Sequence, residues 1–466
     1  MQTAGIAVVL LLLAYPCQSR VAAVNTNAVP VDNEETGAAS ATDKIAGMEA
    51  AGRFDSRGGL GDSPWNPYPI RGDASVFFSI VSFGAVGDNR TLNTEAIQRA
   101  IDTAGRSGGG YVVVPPGAFR TGSVNLTSNV YLLLQPGGVL QGSADAGDYN
   151  YDWDYWHVVQ GVNVSNSGVI GPPGLPTGRG GEVRGCMWQM IDHYDPATNS
   201  FVQKTWSGER GCQGECRPKN LAFIDSVNIT VAGVRLTHSS DWTQLFRRCT
   251  NVLEDRTWVE GSVQWGNNDG LDLESGNNIT ISNGWIKTGD DALAFRSGNC
   301  NRLNTPWPLP PDGVMQPLTG VTVRNMMLTS TSAAVKIAQL FQEHHGDIAD
   351  ISLANVTITE TNRGIDILQR SGNGSFTNVT FTDMDIQTQF MTEPQFWGSG
   401  EPIVMSTAPG TEDAHAHGLK GFRDVLFTRV RARGENAILL SSLCQASTSP
   451  QGFQGVVFEH VQVCNG

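Results

Sequence analysis

Apolar and polar positions alternate in short runs over most of the chain. The pattern recurs as NITVAGVRL (228–236), NVLEDRTWV (251–259), NITISNGWI (278–286), GVTVRNMML (320–328), DISLANVTI (350–358), NVTFTDMDI (378–386), DVLFTRVRA (424–432) and GVVFEHVQV (455–463). Each is an alternating run, a turn and a second alternating run, which is the period of a strand. The starts are separated by 23, 27, 42, 30, 28, 46 and 31 residues. Self-similarity at such a period marks a solenoid, in which a coil buries its apolar face only against its neighbours. The reading is an all-β chain, a single right-handed parallel β-helix, with loops inserted in the longer intervals. A β-propeller is the alternative, but it needs four strands per repeat.

Helical spacing is confined to TLNTEAIQRAIDTA, where Ala96, Ile97, Ala100, Ile101 and Ala104 recur on one face. Asn93 is the expected N-cap, and Gly108–Gly110 end the helix. Such a helix would cap the open N-terminal end of the coils, where unpaired edges invite association.

Residues 1–23 read as a secretory signal: an apolar run, IAVVLLLLAY, followed by small residues. Residues 24–70 are polar, acidic and then Gly/Pro-rich, a flexible leader and linker ahead of a β-helix catalytic domain at 71–466. A secreted chain of this kind has no membrane contact once the signal is cleaved, and a monomer is expected. The formal charge of −14 argues against a nucleic-acid partner. It leaves an acidic polysaccharide open, because a local basic subsite works inside an acidic protein. Secretion permits disulfides: Cys444 and Cys464 flank the last segment, and Cys212 and Cys216 would close a local loop. Eight Asn-x-Ser/Thr sites, at Asn89, Asn125, Asn163, Asn228, Asn278, Asn355, Asn373 and Asn378, are glycan acceptors or simply turn residues.

The chemistry sits in NNDGLDLESGNNITISNGWIKTGDDALAFRSG (267–298), where Asp269 precedes Asp290 and Asp291 by 21 and 22 residues. That is close to one coil. Neighbouring rungs lie about 4.8 Å apart, and diagonal neighbours about 7–8 Å. Three carboxylates are thus expected on one patch although like charges repel, which suits a site needing one protonated and one ionised carboxyl. Parity would bury Asp269 with Leu271 and Leu273, so a bend is expected at Asn268–Gly270. Gly289 permits an irregular turn exposing Asp290 and Asp291. Asp272 and Glu274, on the outer parity, are expected to support the site or to be solvated. Structural Asp residues in β-helix turns, or a calcium site, are the competing readings.

At NNDG (267–270) and GDD (289–291) the chain resembles glycoside hydrolase family 28, the polygalacturonase family; FGAVGDNRTLNTEAIQRAIDTA…GGGYVVVPPGAF is similar to the family's opening. The resemblance covers roughly 77–464. It implies that Asp290 is the general acid, that Asp269 and Asp291 activate water, and that hydrolysis inverts the anomeric carbon with no metal or cofactor. An inverting pair stands roughly 6.5–9.5 Å apart, leaving room for that water. The substrate implied is a pectic polysaccharide, galacturonan or rhamnogalacturonan. Two departures stand out. STSAAVKIA (330–338) replaces the expected Gly-His-Gly, with His344 and His345 following in what reads as a solvated loop. NRGIDILQR (362–370) stands where the family has Arg-Ile-Lys. Arg296, Lys336, Arg363 and Arg370 are therefore the cations expected to hold a uronate, or to balance the acids, and Trp397, with Phe396, is the expected sugar platform. A β-helix lyase and a catalytically impaired carbohydrate-binding protein are the alternatives.

Overall fold

The computed structural model describes residues 6–12, 77–149, 156–196, 200–205, 217–297, 316–339, 345–370, 374–391, 398–407, 419–444 and 453–465. They fall into two compact units, one of residues 54–271 with 278–288, the other of 1–53, 272–277 and 289–466. Both are stacks of parallel strands, the rungs of a right-handed β-helix.

In the first unit the strands stack in three ladders. One runs through Phe77–Ser79, Gly110–Val114, Val130–Leu134, Ser165–Ile170, Val227–Ala232 and the end of Gln244–Asp255. A second runs through Gly117–Thr121, Gly138–Gly142, Glu182–Arg184, Arg235–Thr237, Trp258–Glu260 and Trp285–Thr288. The third takes Val124–Asn125, His157–Val162, Lys219–Ile224 and the start of Gln244–Asp255. The helix Thr94–Arg106 buries the five residues its periodicity marks, against Phe77–Ser79 and Gly110–Val114. Asn93 stands at its N-cap but caps nothing. Its Oδ1 accepts from the Val86 N–H at 2.7 Å and its Nδ2 donates to Thr91 O at 2.7 Å, tying the helix start to the preceding loop.

The second unit has longer strands. Leu318–Ser330, Ile348–Thr361, Phe376–Thr388, Phe422–Gly434 and Phe453–Asn465 stack in register. A parallel ladder of Leu293–Arg296, Ala333–Gln339, Arg363–Gln369, Ile403–Ser406 and Ile438–Cys444 runs with them. Aromatic rings stack up the interior: Phe381, Phe427 and Phe458 form a column with centroids 4.7 Å apart. Each buried ring contributes roughly 1.5–3 kcal/mol. Ile6–Leu12, inside the expected signal, runs antiparallel to Ile438–Cys444.

Corners are made by left-handed residues. The first residue of each of the eight repeats, Asn228, Asn251, Asn278, Gly320, Asp350, Asn378, Asp424 and Gly455, has φ between 50° and 65°. Asn, Asp and Gly enter that region at least cost. In the first unit the corner side chains also stack. Asn166 donates to Asn129, Asn228 to Asn166, Asn251 to Asn228 and Asn278 to Asn251, at 2.7–3.0 Å. Of the Asn-x-Ser/Thr asparagines among the described residues, Asn89, Asn163, Asn228, Asn278, Asn355 and Asn378 take this conformation, so a turn role explains their presence; Asn373 lies outside the described residues.

Cys186 and Cys249 are buried thiols, both pushed up to about 12 by burial. Cys212, Cys216 and Cys300 lie outside the described residues, as does the side chain of Cys444.

Candidate active site

Asp290 and Asp291 occupy a bend just before the strand Leu293–Arg296, where Gly289 breaks the alternation. The next coil holds this bend with hydroxyls. Thr331 Oγ1 donates to Gly289 O at 2.8 Å and Ser330 Oγ to Asp290 O at 2.6 Å. Ser332 Oγ donates to Asp291 Oδ1 at 2.9 Å, and the Ala333 N–H reaches the same oxygen at 3.2 Å. The segment that departs from Gly-His-Gly is thus a cradle of three consecutive hydroxyls.

Lys336 completes it. Nζ donates to Asp291 Oδ2 at 2.5 Å, from a strand position paired with Ala294 on one side and Asp366 on the other. Burial alone would pull the ammonium down; Asp291, Asp366 and Asp290 outweigh it and hold the group above its usual range. Arg296 lies 3.1 Å from Asp272 and 3.9 Å from Asp291. One coil on, Arg363 faces Asp366 at 3.1 Å and Glu401 at 3.4 Å, and those acids likewise raise it against its burial. The result is an interleaved lattice of acids and bases, in which Arg296, Lys336 and Arg363 each already face a carboxylate. Asp272 and Glu274 are wholly buried, which removes the solvated option for both.

Asp290 differs from its neighbour. Its Oδ1 accepts the Asp291 N–H at 2.9 Å, and the residue is 8% exposed against 2% for Asp291. Adjacent carboxyls with unequal surroundings are what a division between acid and base requires.

Asp269 belongs to the first unit. It precedes the strand Leu271–Ser282, with a bend at Gly270, but the bend does not expose it: Asp269 is 2% exposed. Its carbonyl accepts the Thr243 N–H at 2.8 Å. Asn268 beside it donates to Ser239 O and Asp241 O. Gly261 leaves room for that amide, since a Cβ there would stand 1.6 Å from Asn268 Oδ1.

The remaining expected residues are scattered. Arg370 is half-buried beyond the end of Arg363–Gln369, its N–H donating to Gln339 O. Phe396, Trp397 and His344 lie outside the described residues. His345 is not in a solvated loop: it is 9% exposed, with Nδ1 2.5 Å from Ser297 O, one residue past Arg296. Gln339 secures that neighbourhood by donating to Gly346 O and Ser297 Oγ. His345, Asp366, Glu401 and the Ser330–Ser332 hydroxyls were not legible as site residues. The signal that could have flagged them is three consecutive hydroxyls one coil beyond an acid pair.

Comparison with known proteins gives a likeness of family and of fold. The sequence model of Glycosyl hydrolases family 28 matches residues 111–305, and one described as Rhamnogalacturonase A/epimerase, pectate lyase-like, matches 77–143. A probable polygalacturonase of Vitis vinifera is 26% identical over 69% of this chain and 62% of its own length. An exo-poly-alpha-D-galacturonosidase of Dickeya chrysanthemi is 26% identical over 47% of this chain and 42% of its own. The chain therefore spans less than two thirds of either relative. The solved polygalacturonase from Erwinia carotovora ssp. carotovora superposes with a TM-score of 0.59 at 17% identity, over 82% of this chain and 93% of that one, a likeness of fold.

Proposed function

The chain is a divergent relative of glycoside hydrolase family 28, and from that premise we propose that it is a secreted hydrolase of α-linked pectic polysaccharide, galacturonan or rhamnogalacturonan. Asp290 gives its proton to the glycosidic oxygen as the bond to the anomeric carbon breaks. Water attacks that carbon from the opposite face and passes its proton to the carboxylates of Asp269 and Asp291, so the configuration inverts. The reading places Asp269 beside the pair on the strength of the one-coil spacing. Arg296, Lys336, Arg363 and Arg370 would receive the uronate carboxylate, displacing part of the acid lattice, and Trp397 would carry a sugar ring.

The observation that supports this best is the built bend. Hydroxyls, a backbone N–H and an ammonium fix Asp291 from the next coil, while Asp290 keeps different surroundings. A buried carboxylate needs partners whatever its role; what favours catalysis is that two adjacent acids are given unequal surroundings.

The test is release of reducing ends from a panel of purified pectic polysaccharides, with Asp290→Asn beside the wild type. General acid catalysis is worth about 10²–10⁴ in rate, and a loss of that size with unchanged thermal unfolding is expected. Hydrolysis retained by the variant would overturn the role of Asp290. An unsaturated product absorbing in the ultraviolet would point to a lyase instead. Proton NMR of the first product reads the anomer directly.

A further inference from the structure

The first unit carries an unassigned surface on the same ladder that leads to the acid bend. A pocket of about 550 Å³ opens beside Gly138–Gly142, lined among others by Asn89, Arg120, Gln141, Asp145 and Gln189. Gln141 is buried, its Nε2 donating to Gly185 O and Gly142 O. Gln189 shares the short helix Met187–Met190 with Trp188, which is 48% exposed. The Trp188 ring is supported from below. It lies 5.5 Å from the His238 ring and edge-on to Phe201 at 6.1 Å, and Phe201 in turn meets Tyr194, itself 45% exposed. The strands Ile191–Asp195 and Ser200–Gln203, a separate antiparallel pair, hold Tyr194 and Phe201 in place.

The charges here are balanced. Arg120 pairs with Asp148 at 3.0 Å, Arg184 with Glu182 at 2.8 Å and Arg235 with Glu260 at 3.1 Å, while Asp145 adds a negative charge. Burial pushes the His238 imidazole below its usual range, against the pull of Glu182 and Glu260. Among the described residues Arg120, Arg184 and Arg235 are each already matched by an acid, so these three offer a uronate no free charge. A flat, half-exposed indole face suits an uncharged pyranose.

We propose that Trp188 and the adjoining pocket form a distal subsite for an uncharged sugar of the polysaccharide chain, such as a methyl-esterified uronate or a neutral residue. The proposal rests on the pectic reading above. Four rung steps separate Gly138–Gly142 from Trp285–Thr288, after which the chain runs into Gly289 and Asp290. At about 4.8 Å per step that is roughly 19 Å along the ladder of the first unit, so only an oligosaccharide several residues long would lie along it.

The test measures binding by calorimetry for wild type, Trp188→Ala and Tyr194→Ala, against oligogalacturonides of increasing length, each methyl-esterified or fully de-esterified. Exposed side chains make these variants safe to fold, and unchanged thermal unfolding confirms it. The wild type should gain affinity on long esterified chains, and Trp188→Ala should lose about tenfold of it, the worth of one ring contact. Short fragments should bind both proteins equally. Equal affinity of Trp188→Ala and wild type for long esterified chains would overturn the subsite, as would a wild-type preference for de-esterified chains that Trp188→Ala removes. Because the readout is binding, a wild type that binds but cleaves nothing defeats the hydrolase reading and leaves this result decisive.

Discussion

At the scale of the residue, the acid bend depends on Lys336 more than on any hydroxyl. Asp291 is 2% exposed, and its carboxylate is satisfied by Lys336, Ser332 and the Ala333 N–H. Removing one partner of a buried ion pair leaves an uncompensated charge, at a cost of about 3–5 kcal/mol, whereas replacing both partners can be nearly neutral. Lys336→Met should therefore lower the urea midpoint steeply, and Asp291→Asn/Lys336→Met should recover much of the loss. Equal destabilisation in the single and double variants would show that the pair is not coupled. Ser332→Ala is milder: one hydrogen bond to a charged group, about 1.5–3 kcal/mol, with a fall in kcat because the carboxylate is no longer aimed.

At the scale of the element, the corner residue decides where a strand turns. Asn251 has φ 57°, donates to Asn228 and accepts from Asn278. Asn251→Ala should cost the left-handed penalty, about 1–2 kcal/mol, on top of the lost ladder bonds; Asn251→Gly should lose only the ladder. A urea series separates the two, and equal costs for Ala and Gly would assign the role to the side chain alone. These corners are why the rungs were legible. The offsets observed between paired strands, 30 from Leu318 to Ile348, 28 to Phe376, 46 to Phe422 and 31 to Phe453, are the same intervals that separate the sequence repeats. Alternation fixed which side chains point inward, and an Asn, Asp or Gly fixed the corner. The site was legible only in part. The bends at Asp269 and at Asp290–Asp291 follow from Gly270 and Gly289, but they leave all three acids buried rather than exposed. What alternation cannot show is partnership across coils. His345 reads as a loop residue until Ser297 is beside it, and Asp366 reads as an outward-facing acid until Lys336 and Arg363 flank it.

At the scale of the whole molecule, stability should respond to pH through one group inside the first unit. Glu254 is fully buried, with its Oε1 accepting from Gln244 at 3.0 Å and from Thr257 at 2.6 Å. Desolvation outweighs both hydrogen bonds and, with Asp255 adding to it, lifts the carboxyl from 4.5 to about 7. Between those values the folded chain holds a proton that the unfolded chain has released, so stability falls as pH rises. The contribution is complete below pH 4.5, is lost through pH 7 and is flat above it. A shift of that size corresponds to about 3 kcal/mol. The chain's formal charge of −14 pushes the same way, since mutual repulsion of the compact state eases as carboxylates take up protons. Two sources of one trend are separated by Glu254→Gln, whose amide oxygen still accepts from Gln244 and Thr257 but cannot ionise. In urea titrations at pH 5 and pH 8, wild type should be the more stable at pH 5, and the variant should lose most of that difference by gaining stability at pH 8. A variant with the full wild-type slope would place the dependence on the surface charge instead.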